Sequence, residues 1–143
     1  MNKEIEFKTF EVKKNEWSSS RFVSETFNGN LEQDQVLLKI DRFALTTNNI
    51  TYCAAGDMFG YWGFFPTEEG FGRVPVMGYA DVVASNHSDV QVGERLWGFY
   101  PMSSYLVIKA GRVSNSNFFD VSEHRQQYAP IYSQYLRALA NPY

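Results

Sequence analysis

The residues best able to do chemistry fall in one short stretch, Thr46-Thr47-Asn48-Asn49-Ile50-Thr51-Tyr52-Cys53, followed by a loop dense in aromatic rings. Tyr52 brings a phenol that donates or accepts a hydrogen bond, and Asn48 and Asn49 bring amides that can orient a carbonyl. Each type also has a structural use: a tyrosine fills a core, and asparagine or threonine at a helix start caps open backbone N–H groups. Phe59, Tyr61, Trp62, Phe64 and Phe65 stand among Gly60, Gly63 and Pro66. They either line a flat apolar cleft for an aromatic or acyl substrate or pack one end of a barrel. Elsewhere the chemistry thins out. Cys53 is the single cysteine, and no CxxC or Cys/His cluster offers a structural zinc site. His87 and His124 lie in polar stretches, and no nucleophile-elbow sequence supports a Ser-His-Asp assembly. Asp57 and Asp81 have no recognisable carboxylate-pair spacing, Glu68-Glu69 reads as exposed loop, and Arg73 and Arg95 are expected at a solvated strand end and in a turn.

The elements that must position these groups are mostly strands. A chain of 143 residues that is 44% hydrophobic and 17% aromatic fills one domain core and is not disordered. A net charge of −3 without a basic block argues against nucleic acid as a partner. The opening MNKEIEFKTFEVKKNEW lacks the apolar core of a signal peptide, and no apolar run reaches the ~18 residues that span a bilayer. A soluble, cytoplasmic protein without a membrane partner is expected.

Alternation predicts a first strand over residues 5–12 and a second over 21–27 before the turn Asn28-Gly29-Asn30. Val36, Leu38 and Ile40 share one parity while Phe43 and Leu45 take the other, predicting a central strand over 35–45 bent near Asp41-Arg42. Residues 46–49 then cap a short helix that Gly56 should end. Antiparallel strands follow over 74–85, 95–100 and 105–109. Tyr128, Ile131, Tyr132, Tyr135, Leu136 and Leu139 recur at steps of three and four, predicting an amphipathic helix over 124–143 with Pro130 in its first turn. The expected fold class is mainly β with short helices, as one domain over residues 1–143.

Three segments occur in order: Val74-Pro75-Val76-Met77-Gly78-Tyr79-Ala80-Asp81-Val82-Val83, then Val90-Gln91-Val92-Gly93-Glu94-Arg95-Leu96, then Tyr105-Leu106-Val107-Ile108. Together they resemble the Pro-x-x-Gly-x-x-x-x-Val segment, the Gly-Asp-Arg turn and the Glu-Tyr-Val strand of the GroES-like N-terminal catalytic domain of the medium-chain dehydrogenase/reductase superfamily. Glu94 stands for the turn's Asp and Ser104 for the last segment's Glu. Residues 35–40 and 47–56 are similar to that domain's strand and active-site helix in the zinc-independent, quinone-oxidoreductase-like branch. That helix reads Asn-x-x-Asp-x-Tyr-x-x-x-Gly, of which this chain keeps Tyr52 and Gly56 but has Thr47 and Ile50 for Asn and Asp. The likeness spans residues 31–110, and its wording around Tyr52 and the aromatic loop is closest to a little-characterised related group.

The resemblance implies a partly open GroES-like β-barrel carrying the substrate side of an NAD(P)H-dependent reductase of carbonyl or enone-type compounds. Tyr52, Asn48 and Asn49 take the catalytic places, Phe59, Tyr61, Trp62 and Phe65 the substrate cleft, and Thr46 and Thr47 the cofactor side. Zinc-binding members carry a cysteine and a His-Glu pair where Phe43-Ala44-Leu45 and Tyr79-Ala80 stand here, so no metal is expected. Gly70-Phe71-Gly72 lacks the third glycine of a dinucleotide-binding turn. NADPH or NADH is therefore expected only where a separate Rossmann domain completes the protein, with the terminal helix as the bridge and the isolated chain inactive. The expected partners are a small-molecule substrate, that missing domain and, as a further option, a second copy in a homodimer. The competing reading is a non-catalytic GroES-like binding or assembly module that uses its aromatic loop.

Overall fold

The structure, a computed structural model, describes residues 4–138. Strands β1 (Ile5–Lys13) and β2 (Glu16–Phe27) form a long antiparallel hairpin, and the two-residue β4 (Phe71–Gly72) pairs on the other side of β1. The six remaining strands are β3 (Gln35–Ala44), β5 (Pro75–Ser85), β6 (Arg95–Pro101), β7 (Tyr105–Gly111), β8 (Asn117–Asp120) and β9 (Gln134–Ala138). They close a barrel in the order β3-β5-β6-β9-β8-β7. Mainly β with a few short helices is thus the class observed, consistent with a small GroES-like domain.

Alternation sets which side chains enter the barrel: Val36, Leu38, Val76, Ala80, Leu96 and Ile108 are all buried in one cluster. The turn after β2 is where glycine and asparagine place it, with Gly29 at φ 88° and the Asn30 N–H donating to Asn28 Oδ1 at 2.8 Å. β3 lies between β5 and β7, and its register against β5 slips between Ile40 and Arg42, so the central, bent strand is as expected. At the bend Gly78 lies opposite Phe43. A Cβ there would sit 2.1 Å from the Arg42 carbonyl oxygen and 2.7 Å from Phe43 Cα, which explains the glycine of the Pro-x-x-Gly segment by close backbone approach. The sheet of β2, β1 and β4 is tied to the barrel where the Phe10 N–H donates to the Met102 carbonyl (2.8 Å) and the Ser104 N–H to the Lys8 carbonyl (3.1 Å).

Three expectations need correction. The helix expected over 124–143 is replaced by two 3₁₀ turns, Glu123–Arg125 and Pro130–Ser133, and then by β9; residues 139–143 of that span lie outside the described residues. Tyr128, in the bend between the two 3₁₀ turns, and Tyr132, in the second of them, reach one aromatic cluster, while Tyr135 enters the barrel from an extended backbone. β9 pairs with both β6 and β8, so the barrel is closed rather than partly open: a helix would have left both strands with bare edges. Gly56 does not stop the helix α1 (Thr47–Ala54); it begins a short second helix, α2 (Gly56–Phe59), and Gly60 takes the left-handed conformation instead, at φ 74°. Among the described residues no helix is long and apolar enough to cross a membrane.

Gly78→Ala is expected to lower the unfolding free energy by roughly 2–3 kcal/mol, because the obstructing atoms belong to the backbone and cannot swing aside. Urea denaturation followed by circular dichroism measures this, and an unchanged midpoint would contradict the close-approach account.

Candidate functional site

α1 begins where it does because its cap is fully built. Thr46 Oγ1 accepts from the Asn48 N–H (3.2 Å), and Asn49 Oδ1 accepts from the Thr46 N–H (2.6 Å), the reciprocal pattern of a capping box. The other end of the Asn49 amide donates to the Pro75 carbonyl at 2.9 Å, locking α1 onto β5. Asn49 is thus a buried structural clamp, and Thr46 is occupied as the cap. Asn48 and Tyr52 are four residues apart and share a helix face; Asn49 and Cys53 share the buried one.

The Tyr52 ring is held on several sides. Its centroid lies 4.8 Å from Tyr61, 5.4 Å from Phe99 and 6.3 Å from Tyr132. Tyr61 and Tyr132 share a hydrogen bond between hydroxyls at 3.4 Å. Among the described residues the Tyr52 hydroxyl has no hydrogen-bond partner, and no buried polar side-chain atom lacks one, so that hydroxyl is not sealed in the interior. Burial raises the Tyr52 phenol above its ordinary pKa, with the neighbouring Tyr132 adding to the effect. The hydrogen bond with Tyr132 and burial push Tyr61 up to about 12. Both phenols are therefore proton-bearing donors near neutrality.

The four expected cleft residues divide. Tyr61 stands beside Tyr52, and the exposed Phe59 ring lies 6.4 Å from Tyr61. Trp62 and Phe65 are core residues. Trp62 occupies a slot between Gly56 and Gly72, where added Cβ atoms would fall 2.1 and 2.3 Å from its ring, and packs with Val12, Cys53 and Val74. Phe65 packs with Phe64 and Phe99. Tyr132 and Phe99 are members of the cluster that the sequence does not single out: the spacing around Tyr132 reads as a helix, and Phe99 is one aromatic among several on β6.

A buried cation holds Tyr132 in place. Arg125 donates through Nη1 to Asp120 Oδ2 (2.9 Å) and to the Tyr135 hydroxyl (2.8 Å), through Nε to Ser133 Oγ (3.2 Å), and through Nη2 to the Tyr132 carbonyl (2.6 Å). Its guanidinium lies 5.4 Å from the Phe64 ring centre and 5.1 Å from that of Phe65. Tyr135 in turn donates to the Phe99 carbonyl at 2.7 Å. A second hub fixes the aromatic loop from the sheet side. Glu11, fully buried, accepts from Arg21 Nη2 (2.8 Å), Arg73 Nε (3.0 Å) and the Thr67 hydroxyl, and Arg73 also reaches Glu25. Arg73 is thus an interior ion-pair partner, not the solvated strand end expected. Arg95 likewise is engaged by Asp81 and Asp41.

On its other side α1 borders an apolar groove of about 600 Å³ lined by Thr47, Ile50 and Cys53 with Phe10 and Met102. Burial pushes the Cys53 thiol up to about 11, so it is a packing residue and not a nucleophile. Among the described residues no three His, Cys, Asp or Glu side chains gather as a metal site. Of the residues expected on the cofactor side, Thr46 is committed to the cap and the Thr47 carbonyl accepts from the Thr51 hydroxyl (3.5 Å), while Arg73 and Arg95 are held in ion pairs.

The fold and site define a small, mainly β domain with a tyrosine cluster beside one short capped helix. The chain belongs to the family described as "Protein of unknown function (DUF2855)", whose model matches residues 43–143. That span includes α1, the aromatic loop and the barrel strands from β5 onward. No curated protein matches the chain.

Arg125→Met, which strands Asp120 without its cation, is expected to cost about 3–5 kcal/mol in chemical denaturation. A cost under about 1 kcal/mol would remove Arg125 as the organiser of the cluster. For Glu11, burial raises the carboxyl but hydrogen bonds from Thr67, Arg21 and Arg73 outweigh it, leaving its folded pKa below the ordinary value of 4.5. Its stabilisation is therefore present above that value and is lost as pH falls through the lowered folded pKa. Thermal unfolding between pH 7 and pH 3 should show a steeper acid loss for the native protein than for Glu11→Gln, which carries no titrating group there.

Proposed function

We propose that the chain is the substrate-side domain of a zinc-independent, NAD(P)H-dependent oxidoreductase acting on a carbonyl or enone-type small molecule. The observation that carries this reading is the Tyr52 hydroxyl, without a partner among the described residues while its ring is clamped by Tyr61, Phe99 and Tyr132. A substrate's apolar body would lie on the Tyr61 and Tyr132 rings, which bury area at small entropic cost. Its oxygen would then accept from Tyr52, and the Asn48 amide one turn earlier on the same face supplies a second donor. The raised phenol pKa keeps Tyr52 protonated, so it stabilises negative charge developing on that oxygen and then passes it a proton. A nicotinamide held by a separate dinucleotide-binding domain would supply the hydride, since the sequence carries no glycine-rich dinucleotide-binding turn. The likeness of residues 31–110 to the medium-chain dehydrogenase/reductase catalytic domain supports the same division of labour.

One observation favours the second reading, an assembly module that meets a partner through its aromatic loop. Met58 and Phe59 are adjacent and 81% and 63% exposed. A single substitution separates the two readings. With the dinucleotide-binding domain supplied, Tyr52→Phe is expected to lower kcat for enone reduction about a hundredfold while leaving KM nearly unchanged. An unaltered kcat, or no NADPH-dependent turnover of any carbonyl or enone, would overturn the reductase reading. The chain alone should neither turn over nor bind NADPH at micromolar concentration.

A further inference from the structure

We propose that β2 is a self-association edge, through which two copies of the chain pair antiparallel about a two-fold axis at Phe22. This is independent of the reductase reading. β2 is the outer strand of its sheet and is bonded only to β1 among the described strands. Edge strands are usually blunted by brevity, proline, lysine or an outward charge. β2 has twelve residues with no proline or lysine. Its interior charges are turned to the protein's own partners: Arg21 to Glu11 and Glu68, and Glu25 to Arg73. Phe22 is 74% exposed, the most exposed aromatic side chain among the described residues.

The sequence of the strand says what covers it. With the axis perpendicular to the sheet, opposed residues share a face, so only registers centred on a residue are allowed. Centred on Phe22, the strand meets itself with Phe22 opposite Phe22, Ser20 opposite Ser24, Ser18 opposite Thr26 and Trp17 opposite Phe27. On the face that carries Phe22, aromatic meets aromatic and hydroxyl meets hydroxyl, the pairings that stabilise antiparallel neighbours, and no like charges are opposed on either face. Arg21 falls opposite Val23, and Ser19 opposite Glu25. One register away, centring on Arg21 sets two guanidinium groups against each other, and centring on Val23 sets Phe22 against Ser24 and Phe27 against Ser19. Phe22 also rims an apolar groove with Phe43, Leu45 and Met102, and its ring packs edge-on against Phe10 at 5.4 Å. Pairing covers this exposed rim with the same rim of the other copy.

The test exploits the opposition of Ser20 and Ser24, both exposed. Sedimentation equilibrium of the unaltered chain across a concentration series should show a monomer–dimer equilibrium. The double variant Ser20→Lys with Ser24→Lys opposes like charges twice and is expected to weaken the dimer by about tenfold or more at low salt. Ser20→Lys with Ser24→Glu makes two opposite-charge pairs in this register and should dimerise at least as tightly as the unaltered chain. Circular dichroism and thermal unfolding confirm that both variants are folded. A chain that stays monomeric throughout, or two variants that weaken the dimer equally, would overturn the proposal.

Discussion

A guanidinium sealed beneath aromatic rings is the constraint on which the site depends. Arg125 is excluded from water, and a buried charge is tolerated only when its donors are met. Meeting them draws together Asp120 at the end of β8, Ser133 and the Tyr132 carbonyl from the second 3₁₀ turn, and Tyr135 on β9. An ion pair of this kind adds little net stability over apolar packing; its value is positional. By fixing the Tyr132 backbone it fixes the ring that stands against Tyr52, and by holding Tyr135 it aligns the strand that closes the barrel.

The Glu11 hub plays the same part from the other side, joining β1, β2, the aromatic loop and the approach to β5 in one set of charge-assisted bonds. Between the two hubs the loop is shaped by glycines that make room for rings. Trp62 lies between Gly56 and Gly72, and the Tyr128 ring lies against Gly60 and Gly63, where added Cβ atoms would fall 2.3 and 2.4 Å from it. The loop is irregular in backbone yet ordered in packing, because its rigidity comes from interlocked side chains rather than a hydrogen-bond ladder.

Features written into adjacent residues were legible in the sequence. The parity switch after Ile40 marks a bend because side-chain period is local to a strand, and the α1 start is legible because a capping box spans only four residues. Features that depend on distant partners were not. Tyr128, Ile131, Tyr132 and Tyr135 carry a helical rhythm, but the open edges of β6 and β8 recruit that backbone as a strand, and nothing near residue 134 announces them. Asn49 and Asn48 are neighbours of one type, and only the position of the Pro75 carbonyl makes the first a clamp and leaves the second beside Tyr52. Trp62 and Tyr61 divide in the same way: one turn of backbone sends one ring inward and the other to the cluster.

The place of β9 in the chain gives the barrel a direction in time. Ribosomes build proteins from the N-terminal side, and β9 follows every other barrel strand, separated even from β8 by the thirteen residues between Asp120 and Gln134. Until it emerges, β6 and β8 present unsatisfied backbone to solvent, while the β1–β2 hairpin is already complete. The nascent chain therefore passes through a stage with a finished flap and an unlatched cylinder, and chaperone demand should concentrate in that interval.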